Sequence, residues 1–195
     1  MSSEGTDYSI KPSARVRSMH PKKFGMWLFI ITVIMIFASL TSAYIVKKGA
    51  GNWKYFELPE LFKYTSIIIV ISSVSMHWAY ISAKRNLLKQ FRIGSIITGL
   101  LAIAFIYGQI FSWNELIAQN GHFVGNAAGS FIYVFTGLHV LHLVGGIVFL
   151  SIVLVSALKN DIDTKRMTRI EMCTTYWHFL GGLWLYFYIF LTVYN

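Results

Sequence analysis

The stretch from Ser130 to Leu158 constrains the fold of this chain most, because it is almost entirely apolar yet contains two histidines. At about 1.5 Å of rise per residue, a helix of this length crosses a hydrocarbon core of roughly 30 Å. His139 and His142 lie one turn apart on such a helix, and Gly145 and Gly146 extend the same face. Polar and small side chains in a membrane helix face protein rather than lipid tails. We therefore predict that this segment packs at the centre of a helical membrane bundle.

The composition of the whole chain agrees with a membrane location. Of its 195 residues 55% are hydrophobic and 13% charged, and the mean hydropathy is +0.57, values typical of an integral membrane protein. The single cysteine, Cys173, excludes an intrachain disulfide and a thiolate metal cluster held by this chain alone. The net charge is +9, but the basic residues flank hydrophobic stretches, which indicates membrane topology rather than binding to nucleic acid.

Further hydrophobic stretches predict an all-α fold of five transmembrane helices. A polar N-terminal tail, residues 1–23, precedes one membrane domain, residues 24–195. The predicted spans are residues 24–46, 64–83, 93–113, 130–158 and 173–194.

Small and hydroxyl side chains in the second and third spans predict close helix contacts. Serines of the second span, including Ser66 and Ser72, can bond the backbone or bridge to another helix. The third span contains small residues four positions apart, Ser95 with Gly99 and Ala104 with Gly108.

The distribution of basic residues predicts a cytoplasmic N-terminus and a periplasmic C-terminus. Lysine and arginine concentrate in the tail, in residues 84–92 and in residues 159–169. The segments on the opposite side contain only Lys47, Lys48, Lys54 and Lys63. Such an excess marks the cytoplasmic face of a membrane protein.

Histidines in membrane spans raise the question of haem or metal binding. His77 and His178 both lie in the cytoplasmic half of their spans, and two such residues on facing helices could hold a b-type haem. The alternative is that each donates a hydrogen bond to a carbonyl, a serine or a lipid headgroup. His139 and His142 are too close on one helix to be opposite ligands of one haem, and the chain has no Glu-x-x-His pair of a di-iron bundle.

The absence of charge from the five spans argues against a transporter or pump. None of the spans contains Asp, Glu, Lys or Arg, whereas ion-coupled transporters place an ionisable group at mid-membrane. The sequence contains neither a nucleophile with a base nor a phosphate-binding loop. It therefore does not indicate an independent enzyme. The last span is rich in aromatic residues, including Tyr176, Trp177 and Trp184, which could pack helices or contact a partner subunit or lipid.

Three motifs resemble subunit III of the haem-copper terminal oxidases. They are Phe24-Gly-Met-Trp-Leu-Phe, Thr136-Gly-Leu-His-Val-Leu-His-Leu-Val-Gly-Gly, and Glu171 followed after four residues by Tyr176-Trp-His-Phe. The similarity covers nearly the whole chain beyond the tail. The short bacterial form of this family has five membrane helices with the N-terminus inside, in agreement with the predicted topology.

The resemblance implies a non-catalytic accessory subunit of a respiratory oxidase that reduces O2 to water, expected to be a cytochrome c oxidase, although other subunits set the electron donor. Such a subunit binds neither haem nor copper, which lie in partner subunits. It packs mainly against subunit I, meets subunit II and other oxidase subunits, and supports proton uptake. It holds structural phospholipids in a cleft between its first two helices and the rest. The implied location is the bacterial cytoplasmic (inner) membrane, where the oxidase could join a larger respiratory supercomplex.

The resemblance also implies roles for individual residues. Structural or lipid-facing roles, not catalytic ones, are implied for His139, His142, Arg169, Glu171 and His178. Many family members carry an acid in the first and in the last of these spans, where this chain has Val33 and Gly181. Any proton-antenna role of those acids cannot operate here.

Three other functions stay open at this stage. An accessory subunit of a nitric oxide reductase would share the fold and differ in the complex that co-purifies. A quinone-linked membrane anchor would bind haem b through His77 and His178, and a transporter would move a substrate into liposomes.

Overall fold

The computed structural model describes residues 21–49, 59–118, 127–159 and 164–194. These residues form five α-helices. They are α1 (Pro21–Gly49), α2 (Leu61–Lys84), α3 (Leu88–Ala118), α4 (Ala127–Lys159) and α5 (Thr164–Tyr194). All five are long and apolar enough to cross a membrane, which confirms the predicted all-α architecture of five spans. The orientation of the termini stays a prediction, and residues 1–20 of the predicted tail lie outside the described residues.

The helices extend beyond the spans predicted from hydropathy. The longest extension at a single end is that of α5, which begins at Thr164 rather than at Cys173. Its first turns contain charged side chains, which water and headgroups can solvate while the helix backbone remains hydrogen-bonded internally. A helix can therefore continue beyond the hydrocarbon layer without an apolar sequence.

A short turn ends α2 and returns the chain as α3. Asn86 adopts a positive φ of 56°, a left-handed conformation that asparagine tolerates better than most residues. The backbone N–H of Leu87 donates to the carbonyl of Ser82 at 2.9 Å, and that of Asn86 donates to the carbonyl of Ala83 at 3.0 Å. This Schellman pattern satisfies the last carbonyls of α2 and places the two helices side by side.

Helices α2 and α3 approach so closely that two glycines have no room for a side chain. A Cβ atom added at Gly94 would lie 2.9 Å from Cβ of Ala79, and one added at Gly108 would lie 2.6 Å from Cγ2 of Thr65. The predicted close contact at Gly108 is therefore confirmed. Gly99 on the same helix has only a Leu150 methyl group at 3.9 Å.

Four helices form the body of the molecule and α1 lies outside it. Helix α2 packs on α3 and α5, α4 also packs on α3 and α5, and α1 contacts only α4 and α5. No described Cα atom of α1 lies within 8 Å of a Cα atom of α2. The expected cleft between the first two helices and the rest is therefore wrong for this chain, because α2 belongs to the body and α1 alone is set apart.

Aromatic rings and serine hydroxyls fill the interior of the body. Nε1 of Trp177 donates to Oγ of Ser72 at 3.1 Å, and Nε1 of Trp184 donates to Oγ of Ser66 at 3.0 Å. Each bond satisfies an indole N–H that would be costly to leave unpaired in a membrane interior. Both predicted roles of these serines are confirmed, because Ser66 also donates to the backbone carbonyl of Phe62 in its own helix at 2.7 Å.

Candidate functional site

His139 lies at the centre of the body and does not face lipid. The side chain is 0% exposed, and its ring is surrounded by Trp184 at 5.2 Å, Phe105 at 5.8 Å and Phe187 at 6.4 Å between centroids. In the part of the chain that the structure describes, neither ring nitrogen has a hydrogen-bond partner. These contacts give His139 a structural position between α3, α4 and α5.

His142 is half-buried where α4 meets α1. Its Nδ1 lies 2.7 Å from the carbonyl oxygen of Leu138, which accepts the hydrogen bond, and its ring centroid lies 5.7 Å from that of Phe37. The hydroxyl of Tyr176 donates to the backbone carbonyl of His142 at 3.1 Å. The two histidines of α4 therefore point to different neighbours, His139 into the body and His142 towards α1.

The two glycines that follow on α4 also differ. A Cβ atom added at Gly146 would lie 3.2 Å from Leu180 and 3.5 Å from Trp177 of α5, so this glycine permits a close helix contact. Gly145 is exposed, and no atom of the described residues lies within 4 Å of a Cβ added there. Of these two glycines, only Gly146 packs against another described helix.

Polar contacts tie both ends of α1 to α5. At one end, Nζ of Lys23 lies 2.7 Å from a carboxylate oxygen of Glu171, with the two side chains 32% and 44% exposed. At the other end, Lys48 donates to the backbone carbonyl of Tyr194. Arg169 is exposed and lies two residues before Glu171 on α5. We name the contact of α1 with α4 and α5 the α1 seam.

The structure brings His77 of α2 and His178 of α5 together. Their ring centroids lie 5.6 Å apart with an interplanar angle of 48°, and Ser73 forms a hydrogen bond with Nδ1 of His178. The sequence places both residues in the cytoplasmic half of their spans, where facing helices could pair them, and the structure shows that α2 and α5 do so. The contact of Ser73 with His178 could not be predicted from sequence spacing, because this hydrogen bond joins two helices that are far apart along the chain.

An apolar groove of about 280 Å³ lies beside this pair, between α2 and α5. We call it the α2–α5 groove. Its lining residues are Ile69, Val70, Ser73, Val74, His178, Gly181, Gly182 and Leu185. The groove is therefore an aliphatic surface with a hydroxyl and an imidazole.

The described ranges contain no group of three or more His, Cys, Asp or Glu side chains that could hold a metal ion. His77 and His178 would supply two ligands, which is fewer than structural or catalytic zinc sites use.

At the positions of the missing family acids, Val33 is buried, and a Cβ at Gly181 would lie 3.9 Å from Ile69 and Ser73. Neither position has an ionisable side chain.

Comparisons with known proteins agree with the resemblance seen in the motifs. The family model for cytochrome c oxidase subunit III matches residues 3–195. The cytochrome c oxidase subunit 3 of Bacillus sp. (strain PS3) is 26% identical over 178 residues, which cover 89% of this chain and 84% of the relative. The cytochrome bo(3) ubiquinol oxidase subunit 3 of Pseudomonas aeruginosa is 29% identical over 167 residues, which cover 83% of this chain and 79% of the relative. The cytochrome c oxidase subunit 3 of Corynebacterium diphtheriae is 26% identical over 178 residues, 87% of this chain and 85% of the relative.

Proposed function

Because the chain belongs to the cytochrome c oxidase subunit III family, we propose that it is a non-catalytic accessory subunit of a respiratory haem-copper oxidase in the bacterial cytoplasmic membrane. The match over nearly the whole chain is the observation that carries this proposal. Subunit I is the main partner, with subunit II and other oxidase subunits next to it. The partner subunits hold the haems and copper and reduce O2 to water.

The interior of the body supports this division of labour. Its buried polar side chains, within the described ranges, are hydroxyls, one amide and one imidazole, and no Asp, Glu, Lys or Arg side chain is fully buried. Proton relays through membrane proteins use ionisable groups at depth. A bundle built this way can stabilise a neighbour, but its interior is poorly suited to conducting protons.

Phospholipid along the α1 seam is the proposed means by which this subunit supports proton uptake in subunit I. Helix α1 contacts α4 and α5 on one side, and apolar side chains such as Leu28 and Met35 are exposed, so lipid tails can lie against α1 beside the seam. The exposed Arg169 and the partly exposed Lys23 lie near one end of the seam. Guanidinium and ammonium groups are the usual partners of lipid phosphate. Ordered lipid there would limit disorder in the neighbouring subunit.

A purification from native membranes tests the proposed complex. A tagged copy of this chain should co-purify with the haem-bearing subunit I of a haem-copper oxidase, identified by mass spectrometry. Recovery of a nitric oxide reductase instead would contradict the proposed partner. Recovery of no larger oxidase subunit would contradict the proposed function. The electron donor, cytochrome c or quinol, is then read from the other subunits recovered.

The proximity of His77 and His178 favours haem b binding as a second candidate function. An optical spectrum of the purified chain separates the candidates, because a bis-histidine haem gives a Soret band. If the chain is an accessory subunit, the spectrum should show no Soret band. A Soret band that disappears in His178→Leu would instead support the haem anchor, and Ser151→Ala, an exposed change on α4, is the matched control.

A further inference from the structure

We propose that the α2–α5 groove is the surface on which a transmembrane helix of a partner oxidase subunit docks, one whose side chain places an oxygen atom against His77 and His178. This inference rests on the proposed function and specifies the face through which the subunit would bind its partner.

Both histidines lie about two helical turns, or roughly 10 Å, from the charged end of the bundle. That end is marked by Lys84 on α2 and by Glu171 on α5. At such a depth the bilayer offers acyl chains and no hydrogen-bonding groups. A lipid phosphate at the headgroup level would therefore lie too far from the imidazoles to satisfy them.

The polar atoms of this pair are only partly satisfied by the chain itself. Ser73 occupies Nδ1 of His178, whereas the exposed ring of His77 makes ring contacts with His178 and Tyr80 and has no hydrogen bond to any described residue. An imidazole in contact with hydrocarbon loses hydration without a compensating hydrogen bond, which costs free energy. A partner side chain with a carboxylate, amide or hydroxyl oxygen would remove that cost.

The shape of the groove suits a helix backbone. Gly182 is exposed, and a Cβ atom added there would meet no atom of the described residues within 4 Å. Small residues on a membrane helix let a second backbone approach closely, as interhelical contacts in membranes require. Valine, isoleucine and leucine side chains line the remaining length of the groove and can interdigitate with those of an incoming helix.

The outer face of α3 has the opposite character. Its exposed side chains are large and apolar, including Ile96, Leu100, Ile103 and Phe111. Between residues 93 and 113 no exposed residue of α3 is a histidine or a small polar residue, and such a surface is typical of contact with lipid tails. The α2–α5 groove therefore differs from a lipid-facing surface within the same molecule.

Site-specific photo-cross-linking in native membranes tests the inference. A photoreactive amino acid replaces Val74, which lines the groove and is 65% exposed, or Leu100 on α3, which is 61% exposed. We expect Val74 to cross-link to a membrane segment of an oxidase subunit and Leu100 to give lipid adducts only. Lipid adducts alone at Val74, or the same subunit captured equally from Leu100, would overturn the inference.

Closing the groove provides a second, independent test. Gly182→Leu fills the groove, and because no atom lies near an added Cβ the chain's own unfolding temperature should not fall. We expect roughly tenfold less partner subunit retained after detergent extraction. Ala104→Leu, an exposed change on the outer face of α3 one helical turn from Leu100, should retain the partner as the unmodified chain does. Full retention by Gly182→Leu would overturn the inference.

These experiments distinguish the two proposals. If the unmodified chain co-purifies with oxidase subunits while Val74 captures none of them and Gly182→Leu retains its partner, the proposed function stands and the groove assignment fails. If the unmodified chain co-purifies with no oxidase subunit, both fail.

Discussion

Helices α2 and α3 meet through their backbones, whereas α1 meets α4 and α5 through long side chains. Between α2 and α3 an added Cβ at Gly94 would lie 2.9 Å from another Cβ atom. In the α1 seam the contacts are ring pairs, with Phe37 and Phe187 at 4.7 Å and Tyr44 and Phe190 at 5.3 Å between centroids. Aromatic rings can change rotamer and still pack, whereas two helix backbones in contact can make room for an added atom only by moving apart. We therefore expect stability to depend most on the α2–α3 contact.

The same difference separates a fixed part of the molecule from an adjustable one. The four-helix body presents a preformed surface, including the α2–α5 groove, to a partner. The α1 seam is closed by a partly exposed ion pair at one end and by side chains along its length. Lipid or a partner subunit can alter such a seam at little cost to the body.

The largest effect is expected from Gly94→Ala. The new methyl group would clash with Ala79 and lie 3.1 Å from Cε3 of Trp78, so α2 and α3 must separate. We expect a loss of about 1–3 kcal/mol in the free energy of unfolding. Unfolding of the purified chain in detergent micelles, followed by circular dichroism, measures it.

The control for that change is Gly99→Ala on the same helix. Its nearest neighbour would be Leu150 at 3.9 Å, and alanine favours helix over glycine by up to about 1 kcal/mol. Stability should stay equal or rise. Equal destabilisation by the two substitutions would refute the claim that α2 and α3 are in backbone contact at Gly94.

A smaller effect is expected from Phe37→Leu in the α1 seam. Phe37 is buried, but its partners are side chains that can repack, so we expect a loss of less than about 1.5 kcal/mol. Met35→Leu, at an exposed position two residues earlier, should have no effect under the same conditions. A loss as large as that of Gly94→Ala would show that the α1 seam is as rigid as the α2–α3 contact.

The smallest effect is expected from Glu171→Gln, which removes the charge that pairs with Lys23. Ion pairs with this degree of exposure contribute up to about 1 kcal/mol, and the contribution decreases at high salt. The unfolding free energy should therefore fall slightly at low salt and hardly at all at high salt. Glu60→Gln, in an exposed pair whose Lys63 nitrogen lies 4.0 Å away, serves as the control. A large loss that salt does not change would contradict this interpretation of the seam.

Hydropathy and small-residue spacing predicted much of this architecture. The five spans follow from long apolar stretches, and the contact at Gly108 follows from a small residue four positions after Ala104. The bridging roles of Ser66 and Ser72 also follow, because hydroxyl groups in a membrane interior need partners. These features are local, so a single stretch of sequence contains the necessary information.

The arrangement of the helices could not be predicted in the same way. All five helices are apolar around most of their circumference, so the pattern does not show which pairs pack or that α1 lies outside the body. His139 and His142 are three residues apart, which on a helix means about 60° of rotation. That angle turns one into the body and the other towards α1. Lys23 and Glu171 are 148 residues apart along the chain, so no local sequence pattern predicts that they pair.

We propose that this chain supports an oxidase whose redox centres belong to its partners. Preparing the oxidase complex with and without the chain, then recording the haem spectrum and O2 consumption over many turnovers, tests it directly. We predict unchanged haem content and initial rate without the chain, followed by a faster loss of activity. Immediate and complete loss of O2 reduction with every haem still in place would contradict the claim.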